Sequence, residues 1–322
     1  MDIIRKLIRD NEIVNPIVRN ALRFLQRSFT PFDKVTSRYR VYGTVRLNMH
    51  GTLFKIYTSA DDHIANEIFY NQGYEAYEFR LVKELTKRSH YFIDIGANTG
   101  IFSIYAAVTN QDLKILSFEP HPSNMDRFKK NISINQLNNI ETFQVALGQK
   151  QESIPFTIPA DLGLSTTSSA NENFTTHFHK ILYKKIDVKQ IALDAALRHY
   201  CIESSDLIKV DVEYYELDVL KGALNTLSKK RPLLLIEILQ YDRLTEQFPE
   251  MKGKINKNHA AEIQDFLFDL GYSVYALEQE GVRPILSVLS DYANRNFLFV
   301  PDKRTHNFLS YDNVSTNIFE SA

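Results

Sequence analysis

The residues best suited to chemistry are acids at the ends of apolar runs. In "YFIDIGANTGIFSIYAA" (residues 91–107), Asp94 interrupts an apolar run and Gly96-Ala97-Asn98-Thr99-Gly100 follow before the pattern resumes. Glu119 ends a second run, "KILSFEP", and Glu237 ends a third, "LLLIEI". In "DLIKVDVE" (206–213), Lys209, Asp211 and Glu213 alternate, so the two-residue period of a strand puts them on one side. A lysine inside a buried strand is costly unless paired, and Glu237 is its natural partner. Three acids around one lysine carry excess negative charge, so the group must hold a proton, bind a cation or meet a polar substrate. Asp211, Glu213, Glu237 and Lys209 are therefore the first candidates for activating a hydroxyl, either as a base or through a divalent cation that these residues do not identify. His177 and His179, an H-x-H pair in a polar stretch, are the alternative bases.

These acids must be delivered to one place by the elements around them. Strand-like runs at 91–95, 114–118 and 141–146 alternate with helical patterns at 100–109 and 123–136. The alternation returns with "DLIKVDVE", a helix at 215–229 and "RPLLLIEIL". That rhythm predicts a parallel sheet covered on both faces. After a polar linker at 245–258 come a helix at 259–270 and the runs "YSVYALE" and "NRNFLFVP". No helix separates those two runs, which predicts an antiparallel hairpin at one sheet edge. "ESIPFTIP" and "KKIDVKQIALD" read as strands flanking a Ser/Thr/Asn-rich loop. A loop of that length is predicted to be mobile without ligand and to fold over an acceptor. Residues 39–59 alternate around Gly51 as a β-hairpin. Residues 1–29 read as two short helices broken near Asn15-Pro16, with arginines at 5, 9, 19, 23 and 27. Such a basic amphipathic segment packs against the domain or in an oligomer, or rests on a membrane surface.

Composition narrows the classes. The chain has 322 residues, a formal net charge of -1 and a single cysteine, Cys201. A disulfide framework is excluded, which fits a reducing cytoplasm. No apolar run approaches the roughly 20 residues needed to span a bilayer. The amino terminus is interrupted by charge too often for a signal peptide. No basic stripe with interleaved aromatics points to nucleic acid.

In an open α/β sheet, ligands sit at the carboxyl ends of the strands. Asp94 is expected to face that crevice, glycine to let a ligand approach the turn, and Glu119 to accept hydrogen bonds from two ribose hydroxyls. The spacing is D-x-G-x-x-x-G rather than the dinucleotide pattern G-x-G-x-x-G. An acid is electrostatically wrong for a pyrophosphate. It suits a ligand with an ammonium group and no phosphate there, and S-adenosylmethionine is such a ligand.

At this point the chain resembles the FkbM family of class I S-adenosylmethionine-dependent methyltransferases. The match is carried in order by "GYEAYE" (73–78), "FIDIGANTGIFS" (92–103), "FEPHPSNMDRFKKNISIN" (118–135), "VALG" (145–148), "IALD" (191–194), "DLIKVDVEYYELDVLKGA" (206–223) and "RPLLLIE" (231–237). The resemblance implies a Rossmann-like fold with a seven-stranded, mostly parallel sheet, an antiparallel edge hairpin and a small N-terminal helical and β-hairpin segment. It implies that Asp94, Gly96, Ala97, Asn98 and Gly100 line the methionine end of the cofactor and that Tyr74 and Glu75 close over it. Glu119 would hold the ribose, with Pro120 and Ala146 near the adenine and His121 in the turn beside it. The implied acceptor is a hydroxyl of a sugar, glycan or polyketide-like small molecule. The family usually has glycine after the second acid of "DVE", whereas here Tyr214-Tyr215 follow Glu213. The expected organisation is 1–72 as N-terminal helices and hairpin, 73–302 as the methyltransferase domain and 303–322 as a weakly ordered tail. Two other readings stand beside it: a nicotinamide-dependent oxidoreductase and a non-catalytic nucleoside-binding protein.

Overall fold

The computed structural model describes residues 11, 14–28, 41–59, 63–70, 74–160, 168–172, 174, 182–200, 202, 206–291, 294–302 and 309–310. Helix α1 (Val14–Ser28) takes Asn15 and Pro16 into its first turn, where the missing proline N–H costs nothing. The break expected there is therefore a helix start, and what precedes it lies outside the described residues. Arg19 turns inward and donates to the carbonyls of Tyr42 and Thr44, each at 2.9 Å. Arg19 and Arg23 both lie over the Phe69 ring. These two arginines fasten α1 to the domain rather than forming an outward basic face.

The predicted hairpin is β1 (Gly43–Met49) and β2 (Thr52–Thr58), joined through His50 and Gly51 at φ 46° and 82°. Two positive φ values match the twist of a two-residue hairpin turn. Its outer edge is capped from a later helix: Asn131 and Asn135 accept from the amides of Tyr57 and Lys55. Helices α2 (His63–Tyr70) and α3 (Ala76–Thr86) follow.

The alternating region forms β3 (Tyr91–Ile95), α4 (Ile101–Thr109), β4 (Lys114–Phe118), α5 (Pro122–Asn135) and β5 (Ile140–Phe143). The chain then leaves for a separate three-stranded sheet made of β6 (Ala146–Leu147), β7 (Glu152–Pro159) and β8 (Tyr183–Ile191), ordered β6-β8-β7. It returns through α6 (Leu193–His199), β9 (Leu207–Val210), α7 (Glu216–Lys221) and β10 (Leu233–Glu237). Helices α8 (Tyr241–Gln247) and α9 (His259–Asp269) precede β11 (Tyr272–Leu277), β12 (Gly281–Ile285), β13 (Asn296–Pro301) and β14 (Leu309–Ser310).

The main sheet runs β14-β12-β11-β13-β10-β9-β3-β4-β5. Strands β5, β4, β3, β9 and β10 are parallel, with β3 in their middle. Strand β13 runs antiparallel between β10 and β11. This is the Rossmann-like arrangement expected of a class I methyltransferase. The sheet has nine strands rather than seven because β12 and β14 extend the antiparallel edge. Phe92, Leu207, Leu233 and Leu235 pack on the face covered by α3 and α4, while Ile93, Ile208, Leu234 and Ile236 pack on the face covered by α7 and α9. Successive residues of each parallel strand thus serve opposite cores, which is why those runs are apolar throughout. Among the described residues no helix is long and apolar enough to cross a membrane.

Candidate functional site

The parallel order brings the ends of β3, β4, β9 and β10 together. Asp94 lies in register with Ser117 on β4 and Lys209 on β9. It does not face an open crevice, being only 1% exposed. The Ser103 hydroxyl of α4 donates to its Oδ2 at 2.5 Å, and its Oδ1 is buried with no partner among the described residues. Burial pushes its carboxyl up, and Lys209 opposes that shift.

The two glycines answer to the protein itself. Gly96 has φ +79°, and a Cβ there would meet the Asp211 carbonyl oxygen at 1.8 Å. Gly100 has φ +81°, and its Cβ would stand 2.0 Å from the Phe128 ring. The room expected for a ligand is thus filled by β9 on one side and α5 on the other. The amides of this turn are also spent: Gly96 and Ala97 donate to Phe118 O, Asn98 to Glu119 Oε2, and Gly100 to Ala97 O. A turn with those donors consumed is no cradle for a pyrophosphate. Asn98 takes φ 53°, and its Oδ1 is a second buried acceptor without a partner among the described residues.

Glu119 follows β4 and accepts from the amides of Asn98 (2.8 Å) and His121 (2.7 Å). Burial pushes its carboxyl up to about 7, against those hydrogen bonds. The Asn124 side chain is its third partner, and a carboxylate with about four accepting sites has room for one more donor. His121 caps α5, its Nδ1 accepting from the Ser123 amide at 3.1 Å, and burial holds its ring down to about 4. Pro120 and Ala146 join Gly96, Phe118, Phe156 and Tyr215 around a shallow, mostly apolar recess of about 30 Å³. Tyr215 stands out in the sequence only as one of two tyrosines beside the acids, and Phe118 and Phe156 do not stand out, because nothing distinguishes such aromatics from core.

The acids form one cluster, wired differently from the expectation. Lys209, 3% exposed, donates to Asp211 Oδ2 at 2.7 Å and lies 4.6 Å from the centre of the Phe102 ring. Glu237 is matched instead with Arg295, whose Nε is 3.7 Å from Oε1. Arg295 is held in place because Asn296, next to it, donates to Glu78 at 2.9 Å across 218 residues of sequence. Nor does strand period deliver Glu213. Strand β9 stops at Val210, and Glu213 and Tyr214 take left-handed backbone at φ 55° and 72°. That turn still brings Glu213 back, and carboxylate oxygens of Asp211, Glu213 and Glu237 lie within 4.8 Å of one another.

The charges in this cluster are unequal. Burial pulls Lys209 down, yet Asp211, Glu75 and Asp94 outweigh it and the net shift is upward. Burial raises Asp211, but Lys209 outweighs it and holds the carboxyl below its usual range. Burial and then Asp211 push Glu213 and Glu237 well above theirs. Glu237 and Arg295 add to Lys209 in holding Asp211 down. Glu75, in left-handed backbone at the start of α3, is pushed up to about 8 by burial, with Lys209 opposing. Tyr74 is half-buried beside it against the main core. His177 and His179 lie outside the described residues. Of the polar loop, Ser169 is placed: its hydroxyl donates to Glu213 O at 2.6 Å.

Comparison with known proteins places the chain in a family. The methyltransferase FkbM domain model matches residues 94–274. Methyltransferase sdnD of Sordaria araneosa is 30% identical over 41% of this chain and 60% of its own length. Hexuronic acid methyltransferase AglP of Haloferax volcanii is 26% identical over 49% of this chain and 60% of its own. The 2-O-methyltransferase NoeI of Sinorhizobium fredii is 27% identical over 47% and 65%. The chain therefore spans less than two thirds of the length of these relatives. The crystal structure of an FkbM methyltransferase from Methylobacillus flagellatus superposes with a TM-score of 0.41 at 14% identity, over 74% of this chain and 55% of that one. With the domain model covering more than half of its length, the chain belongs to the FkbM methyltransferase family.

Proposed function

We propose that the protein transfers a methyl group from S-adenosylmethionine to a hydroxyl of a sugar, glycan or polyketide-like small molecule. The observation that carries this reading is the juxtaposition of two chemistries at one end of the sheet. Buried acceptor oxygens without partners among the described residues, Asp94 Oδ1 and Asn98 Oδ1, suit the donors of an ammonium group. The apolar recess beside Pro120 and Ala146 suits an adenine, and Glu119 suits ribose hydroxyls. When bound, S-adenosylmethionine supplies an electrophilic methyl group.

The chain's own residues then have to align the acceptor and take its proton. Asp211, kept ionised by Lys209, accepts a hydrogen bond from the acceptor and orients it. Glu213 and Glu237, with carboxyls raised toward neutrality, are better matched to hold the proton that the hydroxyl gives up. The names of AglP and NoeI support a sugar as the acceptor class. The spent amides of the β3 turn argue against a nicotinamide dinucleotide. Because the same three carboxylates are close enough to hold a divalent cation, a second reading has the cation activate the hydroxyl.

Calorimetry with S-adenosylhomocysteine and NAD tests the cofactor. Binding of the first and not the second is expected, and the reverse sinks the reading. A screen of neutral and uronate glycosides with labelled S-adenosylmethionine tests the acceptor, and labelling of none refutes catalysis. Chelator that abolishes turnover, with Mg²⁺ or Mn²⁺ restoring it, selects the cation over the direct base.

A further inference from the structure

We infer that Glu216 and His259 are positioning residues that hold Glu213 in the acid cluster. This rests on the methyltransferase reading for its consequence, and on local geometry for its cause. Glu213 and Tyr214 are consecutive side-chain-bearing residues in left-handed backbone. That backbone is unfavourable for a residue with a side chain, and it persists only where surrounding contacts impose it. Glycine, which the family resemblance places at position 214, takes this conformation freely. Tyrosine must be held there.

One buried pair holds Tyr214 at both its amide and its ring, while Ser169 donates to Glu213 O at 2.6 Å and Asn171 to Tyr214 O at 3.4 Å from the polar loop. Glu216 Oε1 accepts from the Tyr214 amide at 3.0 Å. Glu216 Oε2 is 2.6 Å from His259 Nε2. Both side chains are buried, and they stand at the first residues of α7 and α9. The His259 ring stacks on the Tyr214 ring, with centroids 4.2 Å apart and planes at 22°. Phe174 stacks on Tyr214 as well, at 5.5 Å and 8°. The Tyr214 hydroxyl donates to Asn256 O at 2.7 Å.

None of these hydrogen bonds and ring stacks reaches Asp211 or Glu237. The pair's hydrogen-bonded path to the cluster is the backbone of residues 213 and 214. The carboxylate of Glu213 sits beside Asp211 and Glu237 because the turn is left-handed, and the turn is left-handed because Glu216 and His259 grip Tyr214 from amide to ring. A helix-to-helix pair that only joined α7 to α9 would need no strained turn between them.

The test uses the full chain carrying His259→Leu, His259→Gln and Glu216→Gln, each alone and with Tyr214→Gly. Exchange of the amides at 212–216 is read by mass spectrometry, affinity by calorimetry with S-adenosylhomocysteine, and turnover with the acceptor found by the screen. His259→Leu is expected to speed exchange at 213–216 at least about ten-fold and to cut kcat about ten-fold. Cofactor affinity and KM should stay within about three-fold. His259→Gln, whose amide can donate to Glu216, should recover most of both losses. In the Tyr214→Gly background, where the turn needs no grip, His259→Leu should cost less than about three-fold in either readout. Equal losses in the two backgrounds, or protection at 213–216 that survives His259→Leu, overturn the proposal. Should His259→Leu not fold, Glu216→Gln carries the same comparison with nearly unchanged shape. If no acceptor is methylated, the proposed function fails, while the exchange result still decides the positioning role.

Discussion

Lys209 is the cation on which the acid cluster depends, and Lys209→Met measures that dependence. Its Nζ lies 2.7 Å from Asp211 Oδ2, and Asp94 and Glu75 add their fields. Methionine keeps most of the apolar stem against Phe102 and removes only the charge. Breaking one partner of a buried pair costs about 3–5 kcal/mol, because the other charge is left uncompensated. The cost must depend on pH. In the wild type the Asp211 carboxyl sits below its unfolded value, so its contribution is present above that value and is lost as pH falls. Without Lys209, burial pushes Asp211 upward against only Glu237 and Arg295, and the sign reverses: stability is then lost as pH rises. Urea denaturation should show Lys209→Met losing about 3–5 kcal/mol at about pH 8 and at least about 1.4 kcal/mol less than that at about pH 5. Adding Asp211→Asn should recover much of the loss, since the stranded carboxylate goes with its partner. A loss below about 1 kcal/mol at the higher pH, an equal loss at both, or strict additivity of the two substitutions would refute this account of the cluster.

Asp94→Ala and Glu119→Ala should each weaken S-adenosylhomocysteine binding about ten-fold or more by calorimetry, the scale of one charged hydrogen bond. Unchanged affinity in both, with the fold intact, removes these acids from the cofactor site. Glu237→Gln should leave that affinity within a few-fold and lower turnover about a hundred-fold; near-normal turnover would send the search for the base to His177 and His179. The Glu119 carboxyl titrates at about 7 when folded and 4.5 when unfolded, so its stabilisation is complete below the lower value and is lost as pH rises through the higher one. The wild type should therefore lose stability over that window without cofactor, and Glu119→Gln should flatten the decline by up to about 3 kcal/mol; parallel pH profiles would show that Glu119 does not titrate there.

The parallel half of the fold was legible because each strand serves two cores and so repeats as a short apolar run between helical periods. The hairpin was legible from its alternation around Gly51. Strand β12 was not, since Pro284 lies inside it and three of its five residues are not buried. Helix α2 was too short to show a period. At the site, Asp94, Glu119, Asp211 and Glu237 could be found as acids at the ends of apolar runs. Arg295 and Asn296 could not, because only the return of β13 alongside β10 brings them to the cluster. Glu213 was found for the wrong reason: strand period does not survive past Val210, and a left-handed turn does the placing.

The glycine motif carries a stronger lesson about how the two halves of the site are joined. Gly96 was read as leaving space for a ligand, yet the space belongs to the carbonyl of Asp211. The Asp211 amide donates in turn to Ile95 O at 3.0 Å. The turn that follows Asp94 and the residue at the head of the acid cluster are thus locked by direct backbone contact. Lys209 repeats the link through side chains, lying beside Asp94 in the sheet while pairing with Asp211. A shift of either strand end of a few tenths of an ångström must therefore move acids on both sides of the site together. Relative placement of cofactor and acceptor is what an in-line displacement demands most, and under the proposed function that placement is set where β3 meets β9.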